Sequence, residues 1–345
     1  MKHTNIINAE GIGNLFSLES VKGWLRGPAQ VVFQGNALCG ALIIAALFVG
    51  AIASGRIEVA WGAIAGLCIS TLTGHILALP KSQGEAGLWG FNGTLVGAAA
   101  MTYLGSTVLG WIALVLCAAM TTWVRTALDR LCSAHKVSSL TAPFVLCTWL
   151  LLAASRQLVE LDSIALPLSS LPSTAWGMAT HKVVPINFLE LIFRGVSQVF
   201  LLDSWLAGGL IVMGLLASNP MAALWAIVGS ALGSGVAMLY GAPTHAVASG
   251  LYAFSPVLTA IALGSAFYRP TLPSSLWALL GIVATVFVQA AFDTFVAPVG
   301  LPTLTAPFCL TTWLFLLPLY RFESSHTEPI NHSTWHRKSH IRPIK

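Results

Sequence analysis

The chain has 345 residues, of which 56% are hydrophobic and 8% are charged, and its formal net charge is +5. A soluble domain carries about 25% charged residues, so this sequence cannot cover a water-facing surface and predicts an integral membrane protein. Its mean hydropathy is +0.80, and its length leaves room for about ten spans of roughly 20 residues. The basic balance needs no nucleic-acid partner, because membrane proteins collect Lys and Arg in cytoplasmic loops.

Apolar runs in the first half of the chain predict five full or partial spans. They cover residues 36–54, 60–79, 88–105, 108–128 and 142–154. The second half contains corresponding runs at residues 205–217, 222–240, 251–267, 276–292 and 306–319. Several runs are short for a full crossing, which is typical of broken helices that line a cavity.

Four blocks of sequence occur in both halves in the same order. The clearest is the pentapeptide Leu-Thr-Ala-Pro-Phe at residues 140–144, which returns unchanged at residues 304–308. The other matches pair residues 26–31 with 194–199, residues 87–95 with 250–258, and Asp129 with Asp293. The chain is therefore a duplicated unit, and an odd number of crossings per half predicts two repeats that are inverted in the membrane.

The duplication predicts five segments. They are an N-terminal arm at 1–25, a first repeat at 26–157, a connector at 158–193, a second repeat at 194–320 and a disordered tail at 321–345. The basic tail and the segment 125–136 would face the cytoplasm, whereas the neutral connector would face outward. Both termini are then cytoplasmic.

Polar residues recur at equivalent places near the predicted interface of the halves. Gln30 and Gln198 lie in segments too short to cross, which fits a re-entrant pore helix, since a glutamine in lipid is costly. An amphipathic helix at the membrane surface is the alternative. Thr141 and Thr305 lie two residues before a proline that begins a helix. Each threonine either presents its hydroxyl near the bilayer midplane or only caps its helix.

Large apolar residues form a second repeated pattern. Phe91 with Leu95, and Phe254 with Leu258, are four residues apart and share a helix face, as they would if they formed a slot. Ordinary core packing is the alternative. The sequence has no nucleotide-binding loop and no chain of carboxylates within its spans, and its six cysteines lack metal-like spacing. It therefore predicts no cofactor, no metal and no enzyme activity.

Taken together, these motifs resemble the urea transporter family. The resemblance rests on residues 26–31 with Phe33, on residues 87–95, on the pentapeptide, and on their second-half partners. It implies an all-α membrane protein with two inverted repeats of five transmembrane helices and one re-entrant pore helix each. It also implies a homotrimer, surrounded by membrane lipids, in which every protomer has its own pore. The chain looks like a bacterial member of the cytoplasmic (inner) membrane that lets urea permeate passively.

The resemblance also assigns roles to residues. An outer slot would contain Phe33, Phe91 and Leu95, and an inner slot would contain Phe254, Leu258 and Leu201. The constricted middle would contain Thr141, Thr305, Val31 and Val199, while Gln30 and Gln198 would belong to rows of oxygen acceptors. Two alternatives remain, namely a channel for another small neutral solute such as ammonia, water or a short amide, and a coupled secondary carrier.

Overall fold

The computed structural model describes residues 18–161, 163–170 and 187–319. Within them the chain is helical, with one isolated bridge between Leu104 and Ser163, so the predicted all-α class is confirmed. The first half of this described part contains α1 (Leu18–Gln30), α2 (Ala37–Ala53), α3 (Ile57–Ile76), α4 (Lys81–Glu85), α5 (Phe91–Tyr103), α6 (Val108–Ser133) and α7 (Ala142–Ser155).

The second half repeats this series in the same order. Its helices are α8 (Phe188–Ser197), α9 (Trp205–Ser218), α10 (Pro220–Leu239), α11 (Thr244–Ala248), α12 (Phe254–Ile261), α13 (Leu272–Val296) and α14 (Ala306–Leu319). A 3₁₀ turn (Gln198–Phe200) follows α8, a π-helical turn (Ala262–Ala266) extends α12, and a 3₁₀ turn (Ala297–Val299) extends α13. The order of helices therefore follows the duplication of the sequence.

Turns with left-handed backbone occur at equivalent positions of the two halves. The φ angles are +61° at Phe33 and +58° at Leu201, and +54° at Leu140 and +48° at Leu304. Further pairs are Ala78 with Gly241, Gly87 with Gly250, and Lys136 with Gly300. A bulky residue in this conformation costs about 1–3 kcal/mol, so its presence in both halves indicates that each half needs the same sharp turns.

Polar loop residues begin several helices. The Asn36 side chain accepts the N–H groups of Leu38 and Cys39 at the start of α2. Thr271 forms a capping box with Ser274 at the start of α13. These side chains supply partners for backbone donors that no helical turn can satisfy, which is essential where water is excluded.

Glycines let α1 and α8 fold back closely on the helices that follow them. A Cβ atom on Gly40 of α2 would collide with the carbonyl of Leu25, and one on Gly208 of α9 with the carbonyl of Phe193. Small residues allow such close helix contacts in membranes. Between α8, with its 3₁₀ turn, and α9 the chain bends by 77°, which is the geometry of a broken span or a re-entrant segment.

The described residues contain four helices that are long and apolar enough to cross a bilayer alone. They are α3, α6, α10 and α13, the last with its 3₁₀ extension. The shorter apolar helices are α2, α7, α12 with its extension, and α14. Across the interface of the halves, α2 packs along α9, and both halves contribute to one contiguous apolar core. The prediction of an integral membrane protein is confirmed.

The predicted apolar runs agree with the helices to within a few residues. The largest difference is at the run 108–128, which continues as α6 to Ser133, so most of the segment 125–136 is helical. The short helices α4 and α11 had no counterpart among the predicted runs. The predicted tail and most of the predicted arm lie outside the described residues, as do positions 162 and 171–186 of the connector.

Candidate functional site

Thr141 and Thr305 meet across the interface of the two halves. Their hydroxyl oxygens are 2.6 Å apart, and both side chains are buried. The Thr141 side chain makes no capping bond to its own helix. Its second contact is with the thiol of Cys309, at 3.3 Å. The hydroxyl of Thr141 therefore serves the interface rather than the start of α7, contrary to the capping alternative.

Cys309 lies beside the threonine pair, although the spacing of the cysteines indicated no role for it. It follows Thr305 by four positions and therefore shares its helix face. Its equivalent in the first half is Val145. The spacing could have indicated its place beside the threonines, but only the structure shows that it contacts Thr141.

Each threonine follows a turn that the opposite half holds in place. The indole N–H of Trp149 on α7 donates to the carbonyl of Pro302 at 2.8 Å. The indole N–H of Trp313 on α14 donates to the carbonyl of Ser138 at 2.9 Å. Both carbonyls lie three residues before a threonine of the pair. These reciprocal bonds couple the position of each hydroxyl to the other half.

The two predicted glutamines occupy equivalent environments. Gln30 Nε2 donates to the carbonyl of Ala86 at 2.7 Å, and Gln198 Nε2 donates to the carbonyl of Ser249 at 2.8 Å. Because the amide nitrogen is bound to the protein, the side-chain oxygen of each glutamine keeps its acceptor capacity. Both side chains are partly exposed, so these oxygens suit a solute that carries N–H donors.

The apolar candidates lie in or against one contiguous core. They are Val31, Phe33, Phe91, Leu95, Val199, Leu201, Phe254 and Leu258. Phe91 and Leu95 lie on the first two turns of α5, and Phe254 and Leu258 take the same places on α12. The exposed fractions of Phe91 and Phe254 are 7% and 8%, whereas both leucines are fully buried. The two aromatic residues are thus slightly more open than the leucines one turn deeper.

Phe33 contacts the second half of the molecule. Its ring is edge-on to Phe267, with centroids 5.6 Å apart, and to Phe308, at 6.1 Å. Phe91 is instead approached by Arg125, whose guanidinium carbon lies 5.9 Å from the ring centroid. The three residues assigned to the outer slot therefore do not share the same neighbours.

Asn92 is a second residue of the site for which the sequence predicted no role. It follows Phe91 on α5, and its side-chain oxygen accepts the backbone N–H of Phe144 at 3.2 Å. This bond ties α5 to the first turn of α7. The Nδ2 atom of Asn92 is buried without a hydrogen-bond partner among the described residues. It is therefore a donor still available on α5, next to Phe91 in the sequence.

Comparisons with known proteins agree with this architecture. A family model described as "Urea transporter" matches residues 21–320. Urea transporter 1 of Ovis aries is 31% identical over 333 residues, which cover 94% of this chain and 84% of that protein. Urea transporter 1 of Rattus norvegicus is 30% identical over 325 residues, which cover 92% of this chain and 82% of that protein. The chain belongs to the urea transporter family.

Proposed function

We propose that this protein lets urea permeate a membrane passively, through a pathway between its two halves. Family membership supports the solute and identifies a transporter rather than an enzyme. The structural observation that carries the pathway is the Thr141–Thr305 pair. It brings hydroxyls from both halves to one buried point.

Urea is flat, neutral and rich in N–H donors. When it loses its hydration water, each unpaired donor costs about 1–3 kcal/mol. The threonine hydroxyls and the side-chain oxygens of Gln30 and Gln198 can accept those donors. Opposed apolar side chains can cover the two flat faces without binding them by charge. In this proposal Phe91 and Leu95 form one slot, called here the first slot, and Phe254 and Leu258 form the second slot.

Selection against ions follows from the same groups. A hydrated ion that enters an apolar slot loses water and gains no opposite charge. Val31 and Val199 are buried near the ends of the predicted pore helices, and we assign them to the constriction around the threonines. Phe33 and Leu201 would border the slots, each at the sharp turn that ends its pore helix.

The two halves are proposed to be inverted repeats, each with five full or partial spans and a re-entrant helix. The matched order of helices and the shared left-handed turns support the duplication. A homotrimer, the bacterial inner membrane and cytoplasmic termini are likewise proposals, which rest on the resemblance and on loop charge.

The contact of Arg125 with Phe91 relates the predicted membrane side of the segment 125–136 to the predicted membrane side of the first slot. Arg125 lies in the last third of α6 and pairs with Asp129, one turn closer to the end of that helix. This contact supports a first slot that lies toward the C-terminal end of α6. A cytoplasmic segment 125–136 would then make the first slot the inner one. This conflicts with the resemblance, which assigns Phe91 and Leu95 to the outer slot.

The test is flux through the purified protein in liposomes. We expect stopped-flow urea permeability well above that of empty vesicles, unchanged by a protonophore or by replacing sodium. Water and ammonia permeability, measured in the same vesicles, should remain near the values of empty vesicles. Dependence on either gradient would establish a coupled carrier. Water or ammonia flux without urea flux would establish a channel for a different solute.

A further inference from the structure

The two halves differ in charge at one buried position. Arg125 and Gln289 both lie sixteen residues before a threonine of the central pair, and Asp129 and Asp293 both lie twelve residues before it. Among the described residues, Arg125 is the only Asp, Glu, Lys or Arg that is buried. A buried charge is costly and is tolerated only with several partners. The duplication shows that the fold also accepts a neutral residue at this place.

Arg125 connects the first slot to the rest of its repeat. One terminal nitrogen, Nη1, donates to the carbonyl of Leu88 at 2.9 Å and lies 3.4 Å from the side-chain oxygen of Gln83. The other, Nη2, is 3.1 Å from Asp129. The guanidinium also lies against the ring of Phe91. Its fork of donors therefore fixes a positive charge beside the aromatic residue of the first slot.

Asp129 offsets this charge only in part. Its side chain is 32% exposed, whereas that of Arg125 is 9% exposed. One oxygen of Asp129 also accepts the backbone N–H of Ser139 at 3.1 Å. The carboxylate is thus the better solvated member of the pair. The guanidinium is the charged group that contacts the ring of Phe91.

In the part of the chain that the structure describes, the equivalent cluster of the second slot contains Gln289 in place of the arginine. Gln289 Nε2 donates to Asp293 at 3.1 Å and to the hydroxyl of Thr303 at 2.7 Å. Tyr252, two residues before Phe254, lies within interaction range of the same aspartate. This cluster also joins the slot to the threonine turn, but its donors are neutral. The arginine is therefore not needed for that connection.

We propose that Arg125 is a specificity-determining residue that rejects the flat cationic isostere of urea, guanidinium. Shape cannot separate these two solutes, since both are planar and of similar size. Desolvation in the apolar slot opposes the cation, and Arg125 adds a direct repulsion. Taken alone, a fixed charge about 10 Å from a permeating cation, at an effective dielectric near 20, lowers its occupancy roughly tenfold, and the solvated Asp129 offsets part of this effect. Neutral urea experiences no such penalty. The inference rests on the proposed urea pathway through the first slot.

The experiment compares guanidinium and urea flux in liposomes that hold the protein. Valinomycin and equal potassium on both sides clamp the voltage, so that charge build-up does not limit the cation. Arg125→Gln copies the residue of the second half and should raise the guanidinium-to-urea flux ratio about tenfold. Arg125→Lys keeps the charge and should stay within about twofold of the wild type. The matched control is Arg130→Gln, which removes an exposed charge from the same helix and should leave the ratio unchanged.

An unchanged ratio in folded Arg125→Gln, with urea flux intact, overturns the inference and leaves the proposed function standing. Equal rises in the glutamine and lysine variants overturn it as well, because geometry and not charge would then be responsible.

If the glutamine variant does not fold, Asp129→Asn replaces it. Loss of the offsetting carboxylate should raise the concentration of guanidinium that half-inhibits urea flux by at least about threefold, and no rise overturns the inference. A wild-type protein without urea flux removes the proposed function, and this inference with it.

Discussion

The first and second halves of the chain share their sharp turns but differ in their buried polar groups. Left-handed backbone at Leu140 is matched at Leu304, although leucine gains nothing from that conformation. By contrast, a cation at position 125 is matched by an amide at 289, and a valine at 145 by the thiol of Cys309. The shared turns place the two threonines. The unshared side chains make the two halves chemically different at equivalent positions.

The largest expected effect tests the feature that the halves share. Thr141→Val and Thr305→Val each remove one hydroxyl and nearly conserve volume. If each hydroxyl stabilises a desolvated N–H group of urea, its loss costs about 1–3 kcal/mol. We expect urea flux to fall roughly tenfold or more in each variant, and further in the double variant. Stopped-flow flux in liposomes gives the measurement.

A matched control is Thr126→Val. Among the described residues, the Thr126 hydroxyl donates to a carbonyl of its own helix, at 2.9 Å, so its removal should leave urea flux unchanged. Wild-type flux in a well-folded Thr141→Val/Thr305→Val protein would show that the pair is structural and does not contact the solute.

The next effect tests whether the two slots act in series. Leu95→Ala should widen the first slot and Leu258→Ala the second, so each should admit methylurea or thiourea only partly. The double variant should relax selection by more than the sum of the single changes. The ratio of analogue flux to urea flux is the quantity to measure.

Leu114→Ala is the control for lost packing. Leu114 is fully buried on α6, and its truncation should cost about 2–5 kcal/mol of stability without changing the flux ratio. If Leu95→Ala and Leu258→Ala behave like Leu114→Ala, singly and together, then these leucines only pack the core.

A smaller effect concerns the reciprocal indole bonds. Trp149→Phe and Trp313→Phe each remove one hydrogen bond to the opposite half, worth about 0.5–1.5 kcal/mol. Similar losses of thermal stability in the two variants would extend the equivalence of the halves to this contact. Trp123→Phe changes an indole that is 46% exposed and should cost less. An equal cost in all three variants would contradict a specific role for the cross-half bonds.

Local sequence predicted most of the fold but little of the contact geometry. Hydropathy located the main helices because each buries or exposes a continuous apolar run. It missed α4 and α11, which are five residues long and too short for a periodic pattern. The duplication predicted that Thr141 and Thr305 would be equivalent, but their 2.6 Å separation depends on how two distant segments pack.

Arg125 shows the limit most clearly. A charged residue within an apolar run needs partners, because an unpaired charge in a membrane is costly. Two of the three partners that make it tolerable come from outside α6, and the third lies one turn along that helix. They are a carbonyl at Leu88, an amide oxygen at Gln83 and a carboxylate at Asp129. The spacing of four residues indicates the pair with Asp129, but no pattern in the sequence indicates that Leu88 and Gln83 converge on Arg125.

The smallest expected effect sharpens the remaining asymmetry. Cys309→Val gives the second half the residue that the first half has at position 145. The Thr141 hydroxyl then loses its sulfur contact and keeps Thr305. Sulfur is a weak donor and a weak acceptor, so urea flux should change less than about threefold.

If the thiol is the source of any difference between Thr141→Val and Thr305→Val, that difference should disappear in the Cys309→Val background. Cys147→Val, at a buried cysteine on α7, controls for the change in volume. A loss of flux beyond about tenfold in Cys309→Val alone would mean that the thiol takes part in solute binding, and that the middle of the pathway is less symmetric than its two threonines indicate.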